Sequence, residues 1–249
     1  MRRTIRLLLA IILAVGAGGA ARAADDVDLL LVLTADVSRS LDEGKFRLQR
    51  DGYAAAFSDR RVLNAAISGP NGRIAVAFIE WAGYEESHVV VDWTVIANAA
   101  DGLRLSERLI EAPRPFYGRT SISTGIDAAL ASLARAPFKA ERRTIDVSGD
   151  GTHNSGRDVL LARDEAVAQG VTINGLVILS ETPLPRFPEH THPPGGLANY
   201  YRENVIGGDG AFVMVAENFQ SFGRAIINKL IAEIAAPAGK SGQLRFTSR

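Results

Sequence analysis

The sequence predicts an α/β protein with a doubly wound, mainly parallel central sheet, helices on both faces and one antiparallel edge strand. Two patterns predict this class. Short apolar segments alternate with longer amphipathic segments along the chain, as strands and helices alternate in such sheets. Residues 28–34 are rich in Leu and Val without alternation, which is typical of a strand buried on both faces. The first predicted element is therefore a buried parallel strand.

The other predicted elements follow in a regular order. A helix is expected over residues 42–57, where the apolar positions include Phe46, Tyr53 and Phe57. Strands over residues 72–83 and 87–94 are separated by Tyr-Glu-Glu, which is short enough for a hairpin. The remaining predicted elements are, in chain order, a helix at 96–110, a Ser/Thr-rich loop and helix at 118–136, a strand at 142–151, a helix at 158–169, strands at 171–179 and 210–216, and an amphipathic helix at 218–234.

The first 23 residues predict a cleaved signal peptide. Three arginines lie within the first six residues, an apolar run covers residues 7–15, and Ala21-Arg22-Ala23 is a small-x-small cleavage pattern before Ala24. The apolar run is shorter than the roughly 20 residues of a transmembrane helix. We therefore expect export to the periplasm or beyond, with no stable membrane anchor after cleavage. The adjacent arginines leave the Sec and twin-arginine routes both open.

The rest of the chain is expected to form one domain over residues 24–236, followed by a flexible polar tail over residues 237–249. Cleavage would remove four of the 28 basic residues and no acidic residue, which leaves 24 basic against 28 acidic residues. This balance gives no electrostatic basis for binding nucleic acid. The chain has no cysteine, which excludes thiol catalysis and disulfide bonds.

Polar side chains lie at the ends of predicted strands. Asp36, Ser38 and Ser40 follow the first strand, and Asp150 ends the strand at residues 142–151. Thr120 lies in a loop ahead of a helix. Because ligands bind outside the carboxyl ends of the strands in such sheets, we expect the five side chains to meet at one edge.

This set offers two carboxylates and three hydroxyls, with no imidazole or thiol among them. Hard divalent cations prefer oxygen ligands, so the set suits Mg²⁺ or Mn²⁺ and does not distinguish between them. Hydroxyls neutralise little charge, so a cation held there would stay electrophilic and attract a carboxylate from outside. The alternative is that Asp36, Ser38 and Ser40 cap the next helix, which Ser and Asp do well.

Three motifs, in this order, resemble those of a known family: Asp-Val-Ser-Arg-Ser at residues 36–40, GRTSISTGIDAAL at 118–130 and VSGDG at 147–151. Residues 28–234 resemble a von Willebrand factor A-like domain, which has a Rossmann-like sheet, and are similar to its uncharacterised, exported bacterial branch. One position departs from the family pattern. The family more often has an apolar residue, then Thr or Ser, then Asp-Gly, whereas this chain has Gly149 directly before Asp150-Gly151.

The resemblance implies a non-enzymatic protein-binding module with a metal-ion-dependent adhesion site. It implies direct ligation of Mg²⁺ or Mn²⁺ by Ser38 and Ser40, and by Thr120 in the ligand-bound state. Asp36 and Asp150 would act mostly through bound waters. An Asp or Glu side chain of a partner protein would complete the coordination.

A different class, the haloacid-dehalogenase-like phosphatases, fits some of the same residues. Asp36 would be the nucleophile, with Thr120, Lys139 and the segment 149–154 in supporting positions. Such chemistry needs a second carboxylate two residues after the nucleophile as general acid, and that position is Ser38. The later segment also has an amide, Asn154, where a second acid is required. The phosphatase is therefore the alternative hypothesis.

The Pro-rich loop (residues 180–196) follows the strand at 171–179, so its base is predicted to lie on the same sheet edge. Two interpretations of this loop remain: it forms a wall of the partner-binding surface, or it is an insertion that the fold tolerates. His190 and His192 in this loop form an H-x-H pair that would need a third ligand to bind zinc, and solvated loop residues are the simpler interpretation. Tyr200 and Tyr201 are expected to be packing residues on a short helix.

Overall fold

The structure, a computed structural model, describes residues 25–235. The predicted signal peptide over residues 1–23 and the predicted tail over residues 237–249 lie outside the described residues. The strands are β1 (Asp25–Asp26), β2 (Leu30–Asp36), β3 (Ile74–Trp81), β4 (Ser87–Ile96), β5 (Phe138–Lys139), β6 (Arg143–Gly149), β7 (Thr172–Ile178) and β8 (Val213–Ala216). The helices are α1 (Glu43–Ser58), α2 (Arg60–Ala66), α3 (Ala99–Glu111), α4 (Ile122–Ala134), α5 (Val159–Ala168), α6 (Pro188–Thr191), α7 (Leu197–Asn204) and α8 (Phe222–Ala235), with a short 3-10 helix at Phe219–Ser221.

Six of the strands form the central sheet, in the order β4-β3-β2-β6-β7-β8. Neighbouring strands run parallel except for β3 and β4, which form an antiparallel hairpin at one edge. The two remaining strands, β1 and β5, form a separate parallel pair. The predicted fold class, mainly parallel with one antiparallel edge strand, is confirmed.

Helices cover both faces of the sheet. The first core lies between the sheet and α1, α2, α3 and α8, and includes Tyr53, Phe78 and Phe222. The second lies between the sheet and α4, α5 and α7, and includes Trp81 and Tyr201. Burial of apolar surface on both faces is the main source of stability in such a layered fold.

The central strand β2 is buried along its whole length, as its unbroken apolar sequence predicts. It pairs with β3 on one side and with β6 on the other. Because the chain moves outward from β2 to β3 and later returns to the opposite side at β6, the strand order reverses between β2 and β6. This reversal opens a crevice at the carboxyl ends of these two strands.

Several boundaries differ from the predictions. The hairpin strand β4 extends to Ile96, which pairs with Ile74, so the predicted helix at 96–110 begins later. Asn98 caps α3 by accepting a hydrogen bond from the backbone N–H of Asp101 at 3.1 Å. Helix α2 was not predicted, and the Pro-rich loop contains the short helix α6. None of the helices between residues 25 and 235 combines the length and apolar character that a membrane crossing needs.

A buried charged cluster lies between α8 and the sheet. Lys229 Nζ lies 2.7 Å from Asp146 Oδ1 and also contacts Glu233. Asn174 Nδ2 donates to Glu233 Oε1 at 2.8 Å. Burial, and then the neighbouring Asp146 carboxylate, raise the pKa of Glu233 to about 7, and burial also raises the pKa of Asp146. One cation is therefore shared by two carboxyl groups in the core.

Candidate metal centre

The candidate site lies in the crevice at the reversal of strand order. Asp36 is the last residue of β2, and Asp150 directly follows β6, its neighbour in the sheet. The register pairs Ala35 with Ser148, so Asp36 and Asp150 leave the same end of the sheet within one residue of each other. Adjacent parallel strands therefore place the two acids side by side, as expected for the carboxyl ends of a doubly wound sheet.

A chain of hydrogen bonds links four of the five predicted side chains. Thr120 Oγ1 donates to Ser38 Oγ at 3.1 Å, the hydroxyls of Ser38 and Ser40 lie 3.0 Å apart, and Ser40 Oγ donates to Asp150 Oδ1 at 2.6 Å. The fifth, Asp36, accepts a hydrogen bond from the backbone N–H of Ser38 at 2.7 Å through Oδ1. The structure brings all five together, and their role as metal ligands stays a prediction.

The helix-capping alternative for the first motif is wrong. Helix α1 is capped by Asp42, whose Oδ1 accepts a hydrogen bond from the backbone N–H of Lys45 at 2.8 Å. Asp36, Ser38 and Ser40 lie further upstream and face the crevice instead. Their polar groups are therefore not needed to begin the helix.

Burial makes the two carboxylates costly to keep charged. Asp36 and Asp150 are both fully buried, and Ser38 and Thr120 are also buried. Burial, and then the nearby Asp150 carboxylate, raise the pKa of Asp36 to about 8. Burial likewise raises the pKa of Asp150. Positive charge in the crevice would relieve both effects.

Two atoms of these carboxylates lack hydrogen-bond partners among the described residues. They are Asp36 Oδ2 and Asp150 Oδ2, which are both inaccessible to solvent. Buried acceptors without partners are unusual and call for a donor, a water or a cation. The donor set around them consists of carboxylate and hydroxyl oxygens, which a hard divalent cation prefers. On these grounds the residues fit Mg²⁺ or Mn²⁺.

Across residues 25–235, no group of three or more His, Cys, Asp or Glu side chains is arranged to hold a metal ion. The candidate site differs from such groups because three of its five polar side chains are hydroxyls.

Thr120 is fixed by the β6–α5 loop (residues 150–158). Its backbone N–H donates to Asn154 Oδ1 at 3.0 Å, and its carbonyl accepts from the backbone N–H of Asn154 at 2.9 Å. The next residue, Ser121, caps α4 and donates its backbone N–H to the carbonyl of Ala82 at 2.6 Å. Asn154, which the phosphatase hypothesis required to be an acid, thus positions Thr120.

Arg114 braces the loop that carries Ser38 and Ser40. Its guanidinium donates to the carbonyls of Val37 at 2.7 Å, Ser38 at 2.9 Å and Leu41 at 3.0 Å. No local sequence pattern indicates this role, because Arg114 lies more than 70 residues further along the chain. A fixed guanidinium of this kind preorganises the loop.

The unusual Gly149 has a steric explanation. A Cβ at this position would lie 2.6 Å from Tyr201 Oη and 3.2 Å from Asp36 Oδ2. Tyr201 is fully buried, as expected for a packing residue, and its hydroxyl has no partner among the described residues. Glycine therefore makes room for the phenol beside Asp36, and Asp150 is still placed next to Ser40 at 2.6 Å.

His190 is not the solvated loop residue that the sequence suggested. Its Nε2 lies 3.3 Å from Thr120 Oγ1, and its side chain is half-buried against the β6–α5 loop. Burial lowers the pKa of His190, which favours the neutral ring. His192, its partner in the H-x-H pair, is exposed. The base of the Pro-rich loop thus reaches the candidate site through one histidine.

The phosphatase hypothesis required Lys139 near Asp36. Lys139 lies in β5, which precedes the start of β6, whereas Asp36 lies at the carboxyl end of β2. The amino ends of β2 and β6 pair through Leu30 and Arg143, so Lys139 lies at the amino ends of the strands, opposite the carboxyl ends where Asp36 lies. A seven-residue strand spans about 20 Å, which is beyond the reach of a lysine side chain. The phosphatase assignment of Lys139 is wrong.

Residues 26–238 match the family model described as "Protein of unknown function (DUF1194)". The chain belongs to this family. No curated protein matches this chain at a significant level. The family description carries no activity, so solved structures provide the remaining comparison.

The DUF1194 chain has the fold of a von Willebrand factor A-like domain. It is similar to proximal thread matrix protein 1 (PTMP1) from the mussel byssus, with 11% identity and a TM-score of 0.59, covering 85% of this chain and 47% of PTMP1. PTMP1 is also known with a zinc-occupied MIDAS motif, a metal-ion-dependent adhesion site. The von Willebrand factor type A structure from Catenulispora acidiphila is 14% identical with a TM-score of 0.54, covering 84% of this chain and 43% of that one.

The pilus adhesin SpaC from Lactobacillus rhamnosus GG is similar too, with 15% identity and a TM-score of 0.60, covering 85% of this chain and 31% of SpaC. The DUF1194 chain thus spans less than half the length of PTMP1 and about a third of SpaC. At these identities the similarity establishes the fold.

Proposed function

We propose that the chain is an exported, non-enzymatic module that captures an acidic side chain of a partner protein through Mg²⁺ or Mn²⁺. The observation that carries the proposal is the pair of buried, unpartnered oxygens Asp36 Oδ2 and Asp150 Oδ2. They lie beside the hydrogen-bonded hydroxyls of Ser38, Ser40 and Thr120. Both oxygens are acceptors that a hydrated divalent cation satisfies.

Each residue has a distinct role in the proposal. The hydroxyls of Ser38, Ser40 and Thr120 would hold the cation directly, and Asp36 and Asp150 would hold its waters. When bound, such a cation supplies an electrophilic centre for a carboxylate oxygen of the partner. Since hydroxyl ligands carry no formal charge, the protein leaves this positive charge largely available to an incoming anion.

The comparisons support the proposal at the level of the class. PTMP1 with its zinc-occupied MIDAS motif and the pilus adhesin SpaC share the fold, and both names point to proteins that act outside the cell. In the proposal, residues 24–236 form the binding domain, residues 1–23 direct export, and residues 237–249 follow the domain as a polar tail. The destination is the periplasm or the medium.

Titration calorimetry with MgCl₂ and MnCl₂ tests the cation site on the mature chain, residues 24–249. We expect saturable binding of one cation, lost in Asp36→Ala and retained in Asp42→Asn, which keeps the cap of α1. Absence of binding in the wild-type chain, or equal binding in Asp36→Ala, would contradict the proposal.

Capture of a partner protein tests the second part of the proposal, recognition of an acidic side chain through the bound cation. Immobilised wild-type chain should retain a protein from envelope extract in Mg²⁺ and release it in EDTA, and Ser38→Ala should retain none of it. A short Asp-containing peptide should compete with capture, and its Asn counterpart should not. Retention that ignores both EDTA and the peptide would reject the proposed mode of binding. Robust Mg²⁺-dependent hydrolysis of a phosphomonoester that is lost in Asp36→Asn would reject the non-enzymatic assignment.

A further inference from the structure

The imidazole of His190 lies beside the candidate site, outside the five predicted ligands. Its Nε2 is 3.3 Å from Thr120 Oγ1. The ring packs directly over Gly151, where a Cβ would collide with Nε2. A glycine at this position therefore allows the imidazole to approach Thr120, and the Pro-rich loop contributes one polar group to the site.

His190 is held from several directions. Its carbonyl accepts a hydrogen bond from the backbone N–H of Thr152 at 2.9 Å, and its own backbone N–H donates to the carbonyl of Phe187 at 3.1 Å. Its Nδ1 lies 3.3 Å from both Thr152 Oγ1 and Asn154 Nδ2. Backbone and ring are thus both attached to the β6–α5 loop, as a preorganised binding residue requires.

The contacts of Asn154 fix which ring nitrogen carries the proton. The backbone N–H of Thr120 can only donate, so the atom of Asn154 that faces it at 3.0 Å is Oδ1. The amide nitrogen Nδ2 therefore faces His190 Nδ1, and because an amide nitrogen only donates, Nδ1 must be the acceptor. In the neutral ring the proton then lies on Nε2, which points towards Thr120.

We infer that His190 is a specificity-determining residue, whose Nε2–H faces Thr120 Oγ1 before the partner binds and is shared with the carboxylate of the incoming partner when it binds. The inference rests on the proposed function and adds a second contact to it. A carboxylate has two oxygens, one for the cation and one that can accept from His190. A primary amide would place its NH₂ against this N–H, with two donors facing each other. His190 therefore selects Asp or Glu over Asn or Gln.

The probe for this inference is acetate, measured on the full mature chain loaded with Mn²⁺. Bound Mn²⁺ accelerates relaxation of the acetate methyl protons, so acetate affinity is read directly, and free Mn²⁺ is measured separately by EPR. We expect His190→Ala to weaken acetate binding about five- to tenfold while the Mn²⁺ affinity changes less than twofold. His190→Gln, which keeps a side-chain N–H donor, should recover most of the loss.

His192→Ala is the matched control, since His192 is exposed in the same loop. It should leave both affinities unchanged, and acetamide binding should not weaken in His190→Ala, since removing the N–H removes the donor that faces the amide NH₂. Unchanged or tighter acetate binding in His190→Ala overturns the inference, the latter because His190 would then obstruct the site. Weaker binding of Mn²⁺ itself in His190→Ala overturns it too, since His190 would then be a ligand. A wild-type chain that binds no Mn²⁺ would instead reject the proposed function.

Discussion

Ser40 Oγ donates a 2.6 Å hydrogen bond to Asp150 Oδ1, joining two residues 110 positions apart in the sequence. The bond connects the loop after β2 to the end of β6 across the crevice. Through Ser38, at 3.0 Å from Ser40, it also continues to Thr120 ahead of α4. The site is therefore one connected network, and a change at Ser40 should be felt at both carboxylates.

Ser40→Ala removes a predicted ligand and the donor to Asp150. We expect Mg²⁺ affinity to fall more than tenfold in calorimetry, and the free energy of unfolding in EDTA to fall by about 1 kcal/mol because Asp150 loses a hydrogen bond. Ser58→Ala is the control, since Ser58 shares a comparable 3.2 Å contact with Ser106 away from the crevice. Unchanged Mg²⁺ affinity in Ser40→Ala would remove Ser40 from the ligand set.

Asp36→Asn separates cation binding from stability. Asparagine keeps an oxygen for the backbone N–H of Ser38 and removes one of two neighbouring buried carboxyl groups. In EDTA the Tm should stay the same or rise slightly, because repulsion and the cost of burying the charge are relieved. The rise in Tm that Mg²⁺ gives the wild-type chain should disappear. If the Tm in EDTA instead drops clearly and Mg²⁺ still raises it as in wild type, Asp36 stabilises the loop and does not bind the cation.

Gly149→Ala and Tyr201→Phe should be coupled. The alanine Cβ would lie 2.6 Å from Tyr201 Oη, so Gly149→Ala alone should destabilise the fold by about 2 kcal/mol. Tyr201→Phe removes the oxygen in conflict, and the double variant should recover part of the loss. Urea unfolding of the four proteins measures this coupling. Strict additivity would show that the glycine is required for another reason.

The buried cluster under α8 should make stability depend on pH. Folding raises the pKa of Glu233 from its ordinary value of 4.5 to about 7, so the folded state binds more protons than the unfolded state between these values. The contribution of Glu233 to stability therefore falls as pH rises through this window. As the pH rises from 5 to 8, the free energy of unfolding of wild type should therefore fall by roughly 2 kcal/mol relative to that of Glu233→Gln, which has no group that titrates at this position. Urea unfolding at both pH values measures the difference.

Lys229→Met is the complementary variant. It leaves Asp146 and Glu233 without their shared cation, so it should destabilise the fold by roughly 3 kcal/mol or more at pH 8 and by less at pH 5. A Glu233→Gln variant whose stability tracks that of wild type at every pH, together with a pH-independent Lys229→Met, would show that Glu233 does not titrate in this range.

The sequence by itself determined the sheet and the location of the candidate site. The unbroken apolar run of β2 could only be a strand buried on both faces, and its position in the middle of the sheet follows from that burial. Asp36 and Asp150 could be placed together because parallel neighbouring strands end at one edge, whatever their separation in sequence. These features depend on local pattern and on a general rule of the fold.

Tertiary structure alone decided which other groups reach that edge. His190, Arg114 and Asn154 lie in loops whose paths are set by packing between distant segments, and no local pattern encodes those paths. For the same reason Lys139, which suited a phosphatase in the sequence, lies at the far edge of the sheet. Gly149 is explained only by Tyr201, a residue more than 50 positions later in the sequence that occupies the space a side chain would need.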